Sequence, residues 1–128
     1  MAAAVLLAPV GCSIGADDEP KPVSGVPKEI VATVDALGRA VDERDFATVC
    51  DDLFTASARE RAGGRQCAAE LRSSTEGLSG PTIEIRGIDL KGDRASVRVA
   101  TTADGQDRVT DTLELRRQGG RWLIEALS

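Results

Sequence analysis

Residues 91–127, KGDRASVRVATTADGQDRVTDTLELRRQGGRWLIEAL, alternate between apolar and polar side chains. That period of two is typical of strands with one buried face. Three turn signals divide the stretch: Lys91-Gly92-Asp93, Ala103-Asp104-Gly105-Gln106 and Gln118-Gly119-Gly120. Just before them, Ile83, Ile85 and Ile88 indicate one further strand. Four strands joined by short turns predict an antiparallel meander.

Upstream of the strands, apolar residues recur at the three- and four-residue spacing of a helix with one buried face. This spacing predicts a first helix ending near residues 43–45, a second from Phe46 through Ala58, and a shorter third. Their apolar faces carry Ile30, Val34, Leu37 and Val41, then Phe46, Val49, Cys50 and Leu53, then Cys67 and Leu71. Helices followed by strands predict an α+β domain, with N-terminal helices packed on a curved four-stranded antiparallel sheet.

This order resembles the nuclear transport factor 2-like fold, also called the cystatin-like cone, over about residues 28–127. The resemblance is carried by DERDFATVCDDL after the first helix, the hairpin KGDRASVRV, and the ending RRQGGRWLIEAL. Many members of the fold close the sheet with a Gly-Arg/Lys-Trp-x-Ile strand, which here is GRWLI at residues 120–124. The resemblance implies a sheet that curls around the helices and leaves a pocket at its open end.

The N-terminal segment, residues 1–12, is predicted to be a lipoprotein signal. Residues 2–10 are an uninterrupted apolar run, too short to span a bilayer but typical of a signal core. The following Gly11-Cys12 resembles a bacterial lipobox, in which the cysteine becomes the lipidated first residue of the mature protein. In its pair of helix cysteines and in the acidic, proline-containing segment that follows Cys12, the chain also looks similar to small actinobacterial lipoproteins. The alternative is a disordered N-terminus in which Cys12 is incidental.

Residues 13–27, SIGADDEPKPVSGVP, are predicted to be a disordered tether between the signal segment and the domain at residues 28–128. The stretch is rich in proline, glycine and charge, so it buries too little apolar surface to offset its ordering entropy. With Cys12 lipidated, two of the three cysteines remain. We expect Cys50 and Cys67 to form a disulfide in an extracytoplasmic compartment, although two separate buried thiols are the alternative.

The composition excludes several classes of function. The chain contains no His and no Tyr, which rules out triads and zinc sites that need histidine. The net charge is −5, with both signs interspersed, so we expect no nucleic-acid partner. Enzymatic relatives implied by the resemblance pair an Asp or Glu base with Tyr or His. No catalytic residue is therefore carried over, and no cofactor or metal is expected.

Two residues are candidates for a pocket. Strict alternation through Val109, Leu113 and Leu115 places Asp111 on the apolar face, where a carboxylate could bind a ligand or a cation. Arg98 or Arg116 on neighbouring strands could pair with it. The alternative is a β-bulge or a solvated strand end. Trp122 could offer a stacking surface, although a core position is the alternative.

The outer face of the sheet is predicted to be polar, which disfavours a large apolar dimer interface. That face would carry Glu84, Arg86, Ser96, Arg98, Thr112 and Glu114. We expect a lipid-anchored, extracytoplasmic, non-catalytic domain that contacts the membrane through its anchor and binds an envelope protein or a small apolar ligand. The alternatives are an isomerase- or cyclase-type enzyme using a pocket carboxylate, and a purely structural or sensory module.

Overall fold

The computed structural model describes residues 26–128, with side chains from residue 28 onward. The predicted signal segment with Cys12, and the predicted tether up to residue 25, lie outside the described residues. In chain order the elements are α1 (Val26–Asp42), α2 (Phe46–Thr48), α3 (Ala56–Arg61), α4 (Cys67–Ser74), β1 (Thr82–Lys91), β2 (Arg94–Thr102), β3 (Val109–Gln118) and β4 (Arg121–Leu127). A π-helical turn (Val49–Leu53) continues α2, and a 3-10 turn (Gly64–Gln66) precedes α4.

The four strands form one antiparallel sheet in the order β1-β2-β3-β4, which confirms the predicted meander. Each connection lies where a turn signal was found. The β3–β4 turn shows this most clearly, because Gly119 and Gly120 both have positive φ, at 57° and 79°. Two-residue hairpins of this kind need positive φ at both central positions, which glycine adopts without steric cost.

A β-bulge in β1 explains the irregular spacing of its isoleucines. Ile85 pairs with Val99, whereas Gly87 pairs with Arg98, so Arg86 is the extra residue. One inserted residue shifts the face on which later side chains lie. Ile88 therefore packs against the core, as Ile85 does, although the two are three residues apart.

The first helix covers the inner face of the sheet with the predicted stripe. Ile30 and Val34 are fully buried, and Leu37 and Val41 are partly buried against the same core. The helix begins at Val26, so it includes the last two residues assigned to the tether. Pro27 is compatible with this start, because amide groups in the first helical turn have no carbonyl partner within the helix.

The second predicted helix is wrong in one respect, since it breaks at Phe54 and Thr55. Both residues have extended backbone, with ψ of 149° and 162°. The Thr55 amide donates to the Ile124 carbonyl at 2.9 Å, and the Ala58 amide donates to the Thr55 hydroxyl at 3.0 Å. Thr55 thus follows the end of the π-helical turn, where its amide is bound to β4, and its hydroxyl caps α3 by accepting from an amide of the first helical turn.

The disulfide between Cys50 and Cys67 is confirmed. Both residues are buried, and their Cα atoms are 6.1 Å apart, within the range that a disulfide spans. The bond joins the π-helical turn to the first residue of α4. It therefore fixes two short helical segments that have little secondary structure of their own to hold them together.

The outer face of the sheet is polar, as expected. Arg86 and Arg108 both form ion pairs with Glu84, at 2.6 and 2.9 Å. The hydrogen bond and charge of Arg86 hold the pKa of Glu84 below its ordinary value, although slight desolvation opposes this. Arg98 pairs with Asp89 at 3.2 Å on the same face, and its guanidinium lies over Gly87, where a Cβ atom would meet it.

Candidate functional site

A cavity of about 640 Å³ lies between the helices and the inner face of the sheet. It is located at one end of the sheet, where β1 and β3 begin and where β2 and β4 end. The opposite wall is formed by the second half of α1 together with the π-helical turn, α3 and α4. A site at the open end of the cone is what the resemblance implied.

The cavity wall is mainly aliphatic and aromatic. Side chains from every layer of the fold contribute, among them Leu37, Phe46, Phe54, Leu71, Ile83 and Val99. Two further lining residues, Val109 and Leu127, are 51% and 63% exposed at the rim. Large apolar side chains with that exposure indicate an opening rather than a closed core void.

Asp111 lines this cavity, so alternation along β3 correctly places its side chain. The pairing of β2 with β3 is unbroken from Arg94 and Arg116 to Thr101 and Val109, and the predicted alternative of a bulge is not found there. Asp111 pairs across the sheet with Val99, which is buried and lines the same cavity. Asp111 is half-buried.

The expected partners of Asp111 do not reach it. Arg98 lies on the outer face with Asp89, because residues at even positions of β2 point away from the helices. No described residue forms an ion pair with Asp111 within 4.0 Å. The prediction that Arg98 or Arg116 pairs with this carboxylate is therefore wrong.

A second charged feature of the cavity is the ion pair between Arg61 of α3 and Glu125 of β4. The Arg61 guanidinium lies 3.1 Å from the Glu125 carboxylate and also donates to the Glu125 backbone carbonyl. Partial burial acts to raise the pKa of Glu125. Hydrogen bonds from Arg61 and Thr55, with the charges of Arg116 and Arg61, outweigh it and lower that pKa.

Glu125 reaches the cavity because β4 contains a bulge. Leu115 pairs with Ile124 and Glu114 pairs with Ala126, so Glu125 is the extra residue between them. Four consecutive residues, from Ile124 to Leu127, consequently line the cavity. Sequence patterns do not single out Arg61 or Glu125; their one signal is the break in alternation within residues 122–127.

Trp122 lies in the core and is not among the residues that line the cavity. It is at the start of β4, whereas the cavity is formed by the end of that strand. Leu127 is five positions further along the strand, which corresponds to roughly 17 Å. Its carbonyl accepts the Thr33 hydroxyl of α1 at 2.9 Å. Trp122 therefore joins helix to sheet, which was the alternative interpretation.

Within residues 28–128, no group of three or more His, Cys, Asp or Glu side chains is arranged to hold a metal ion. None of the described helices is both long and apolar enough to cross a bilayer. The polar groups of the cavity are the half-buried Asp111, the Arg61–Glu125 pair, and the hydroxyls of Thr75 and Thr101. The arrangement suits an apolar molecule that presents a polar end at the rim.

An antiparallel sheet wrapped around N-terminal helices, with a cavity at its open end, defines a cone-shaped α+β domain. Neither a protein-family model nor a curated protein sequence matches this chain. Solved structures do match it over most of their length. The chain therefore has the nuclear transport factor 2-like fold, as the sequence resemblance indicated.

One similar structure is an NTF-2 like protein of unknown function from Silicibacter pomeroyi. It is 18% identical, with a TM-score of 0.60, and the match covers 78% of this chain and 90% of that one. Another is an NTF2-like protein of unknown function from Shewanella baltica, 18% identical with a TM-score of 0.57, covering 79% and 92%. An LEH-like epoxide hydrolase from M. tuberculosis is 25% identical with a TM-score of 0.48, covering 77% and 80%.

Proposed function

We propose that this chain is an extracytoplasmic, non-catalytic domain that binds a small apolar ligand in the cavity of the cone and is anchored to the membrane through lipid on Cys12. The cavity carries the ligand-binding part of this proposal. Its volume of about 640 Å³ is in the range of sites that enclose a small molecule.

The exposed rim supports binding rather than a structural void. Val109 and Leu127 remain largely in water, and a ligand seated at the opening would cover both. Burial of apolar surface contributes about 25 cal/mol per Å² before the costs of association are subtracted. A ligand that covers these side chains and fills the interior therefore gains most of its affinity from apolar contact.

The polar groups of the cavity favour binding over catalysis. An isomerase- or cyclase-type reaction needs a base and, opposite it, donors for the developing oxyanion. The Thr75 hydroxyl donates to the Leu71 carbonyl at 2.7 Å, and Arg61 is occupied by Glu125. Asp111 could serve as a base, but the donors around the cavity are largely engaged within the protein.

The proposed anchor is supported by the cysteine arithmetic. The disulfide accounts for Cys50 and Cys67, which leaves Cys12 as the odd cysteine in the chain. The intact mass of the protein from a native membrane fraction tests this directly. A chain beginning at Cys12, with diacylglyceryl and acyl groups added, is expected. An unlipidated chain that still contains residues 1–11 would contradict the anchor.

Ligand binding is best tested with a variant that fills the cavity. Thr101 of β2 lines the cavity, whereas the next residue, Thr102, is exposed on the opposite face. Thr101→Phe should reduce binding of the neutral apolar probe N-phenyl-1-naphthylamine at least tenfold, measured by its fluorescence. Thr102→Phe is the matched control and should bind the probe as the wild type does.

Two results would overturn the proposal of an apolar ligand. The first is a wild-type protein that does not bind the probe at all. The second is equal weakening of binding by Thr101→Phe and Thr102→Phe, since the latter changes only the outer face. Either result would leave an envelope protein as the remaining class of partner for the exposed rim.

A further inference from the structure

We infer that the ligand is a cationic amphiphile, whose positive group sits at Asp111 while its apolar body fills the cavity. This inference rests on the proposed function, because it names the chemical class of ligand for the same cavity. It is carried by the position of Asp111, by the missing partner of its carboxylate and by the charge of the cavity.

Strand β3 runs from the rim of the cavity into the core, and the side chains on its inner face become less exposed to solvent along that path. Val109 is 51% exposed, Asp111 is half-buried, and Leu113 is 4% exposed. Successive inner-face residues are about 6.6 Å apart along a strand. Asp111 therefore lies at the boundary between water and the apolar interior, where a ligand that has a charged end and an apolar tail would keep its charge partly hydrated.

The cavity carries an unbalanced negative charge. Three charged side chains line it: Asp111, Glu125 and Arg61. Arg61 and Glu125 neutralise one another at 3.1 Å, whereas no described residue forms an ion pair with Asp111. The lining is thus left with one net negative charge from Asp111. The chain as a whole has a net charge of −5, so the surrounding field also favours a cation.

The carboxylate also disfavours the other two classes of amphiphile. An anionic head group at the rim would be repelled by Asp111. A neutral ligand that covered Asp111 would remove water from an ionised group without replacing its interactions, which costs free energy. A cation avoids both penalties, because it replaces the lost hydration with a charge-assisted contact.

Three ligands of equal chain length separate these cases: decylammonium, decanol and decanoate. Each is titrated against the wild type carrying bound N-phenyl-1-naphthylamine, with decylammonium and decanoate kept below their critical micelle concentrations and decanol below its solubility limit. At low salt, the apparent Kd of decylammonium from probe displacement should be about fivefold lower than that of decanol, in keeping with a partly exposed ion pair. Decanoate should be the weakest, and 0.5 M NaCl should reduce the spread among the three.

Asp111→Asn is the decisive variant, because it removes the charge with little change in shape. It should abolish the advantage of decylammonium over decanol, and decanol should bind at least as tightly as it does to the wild type, because the neutral amide costs less to cover than the ionised carboxylate. Asp107→Asn is the matched control, since Asp107 is exposed, does not line the cavity and carries the same charge. It should preserve the wild-type order.

The outcomes distinguish this inference from the proposal on which it rests. If decanol displaces the probe but all three ligands bind alike, or if Asp111→Asn changes nothing, the cationic class is refuted while apolar binding stands. If the probe binds but none of the three displaces it, the cationic class is also refuted; if the probe itself does not bind, the proposed function fails as well. A loss of decanol binding in Asp111→Asn would also refute the inference, because it would make Asp111 a structural residue.

Discussion

Reduction of the disulfide should destabilise the domain by about 3 kcal/mol. Cys50 and Cys67 are separated by 17 positions in the chain, and the entropy of closing a loop of that size in the unfolded chain gives this value. The native state should change little, because both sulfur atoms are buried and a free thiol packs as a small apolar group. The loss therefore arises mainly from the greater freedom of the reduced unfolded chain.

The assay is equilibrium unfolding in urea of the oxidised and reduced forms of the same protein. Cys12→Ser removes the third thiol, so that no disulfide exchange can occur. Because the bond is buried, reduction is performed in denaturant, and the protein is refolded with the reductant present. The melting temperature should fall by roughly 12–24 °C, and the urea dependence should steepen because the reduced chain exposes more surface.

A loss smaller than 1 kcal/mol, with an unchanged urea dependence, would refute the reasoning. It would mean that the crosslink does not restrict the unfolded chain, or that the reduced native state relaxes to compensate. The double variant Cys50→Ala/Cys67→Ala controls for the reductant itself. Its stability should be the same in oxidising and reducing buffer.

Three further predictions follow from individual contacts. Thr55→Val should cost about 1–2 kcal/mol in urea unfolding, because the Ala58 amide loses its buried acceptor, whereas Thr55→Ser should cost much less; equal losses would contradict the cap. Arg44 has a φ of 57°, and its side chain donates to the carbonyls of α4 and Thr75. Both Arg44→Ala and Arg44→Gly remove these hydrogen bonds, but only glycine adopts the positive φ without steric cost, so Arg44→Ala should be less stable by about 1 kcal/mol. The reverse order would argue against backbone strain. Because folding lowers the pKa of Glu125, its contribution to stability is present above the unfolded pKa and is lost as the pH falls through the folded value. The difference in unfolding free energy between wild type and Glu125→Gln, measured from pH 7 to pH 2.5, should therefore shrink only below about pH 4.5. A difference independent of pH would refute this.

The sheet could be predicted from sequence because its information is local. Alternation defines which side chains are buried, and Gly92, Gly119 and Gly120 mark turns whose backbone they alone adopt easily. Alternation predicts the inner-face position of Asp111 for the same reason, since β3 keeps a strict period of two beside an unbroken partner strand.

The features that were missed all depend on contacts between distant parts of the chain. The break at Thr55 occurs where its amide donates a hydrogen bond to the carbonyl of Ile124, nearly seventy positions away along the chain. Arg61 and Glu125 meet only when α3 packs on β4, and a bulge turns Glu125 toward the cavity. Helical and alternating patterns do not indicate which distant residues pair, so the Arg61–Glu125 ion pair could not be inferred from them.

The bulge at Arg86 also bears on self-association. In the described part of the chain, β1 is an edge strand, and a long regular edge is a template on which another molecule can add a strand. The bulge divides this edge into the short runs 82–85 and 87–91, and Asp89 and Lys91 place charge along the second run. Strand addition here would have to accommodate a register shift and desolvate charged side chains. The edge should therefore resist fibril growth even where many copies are held close together.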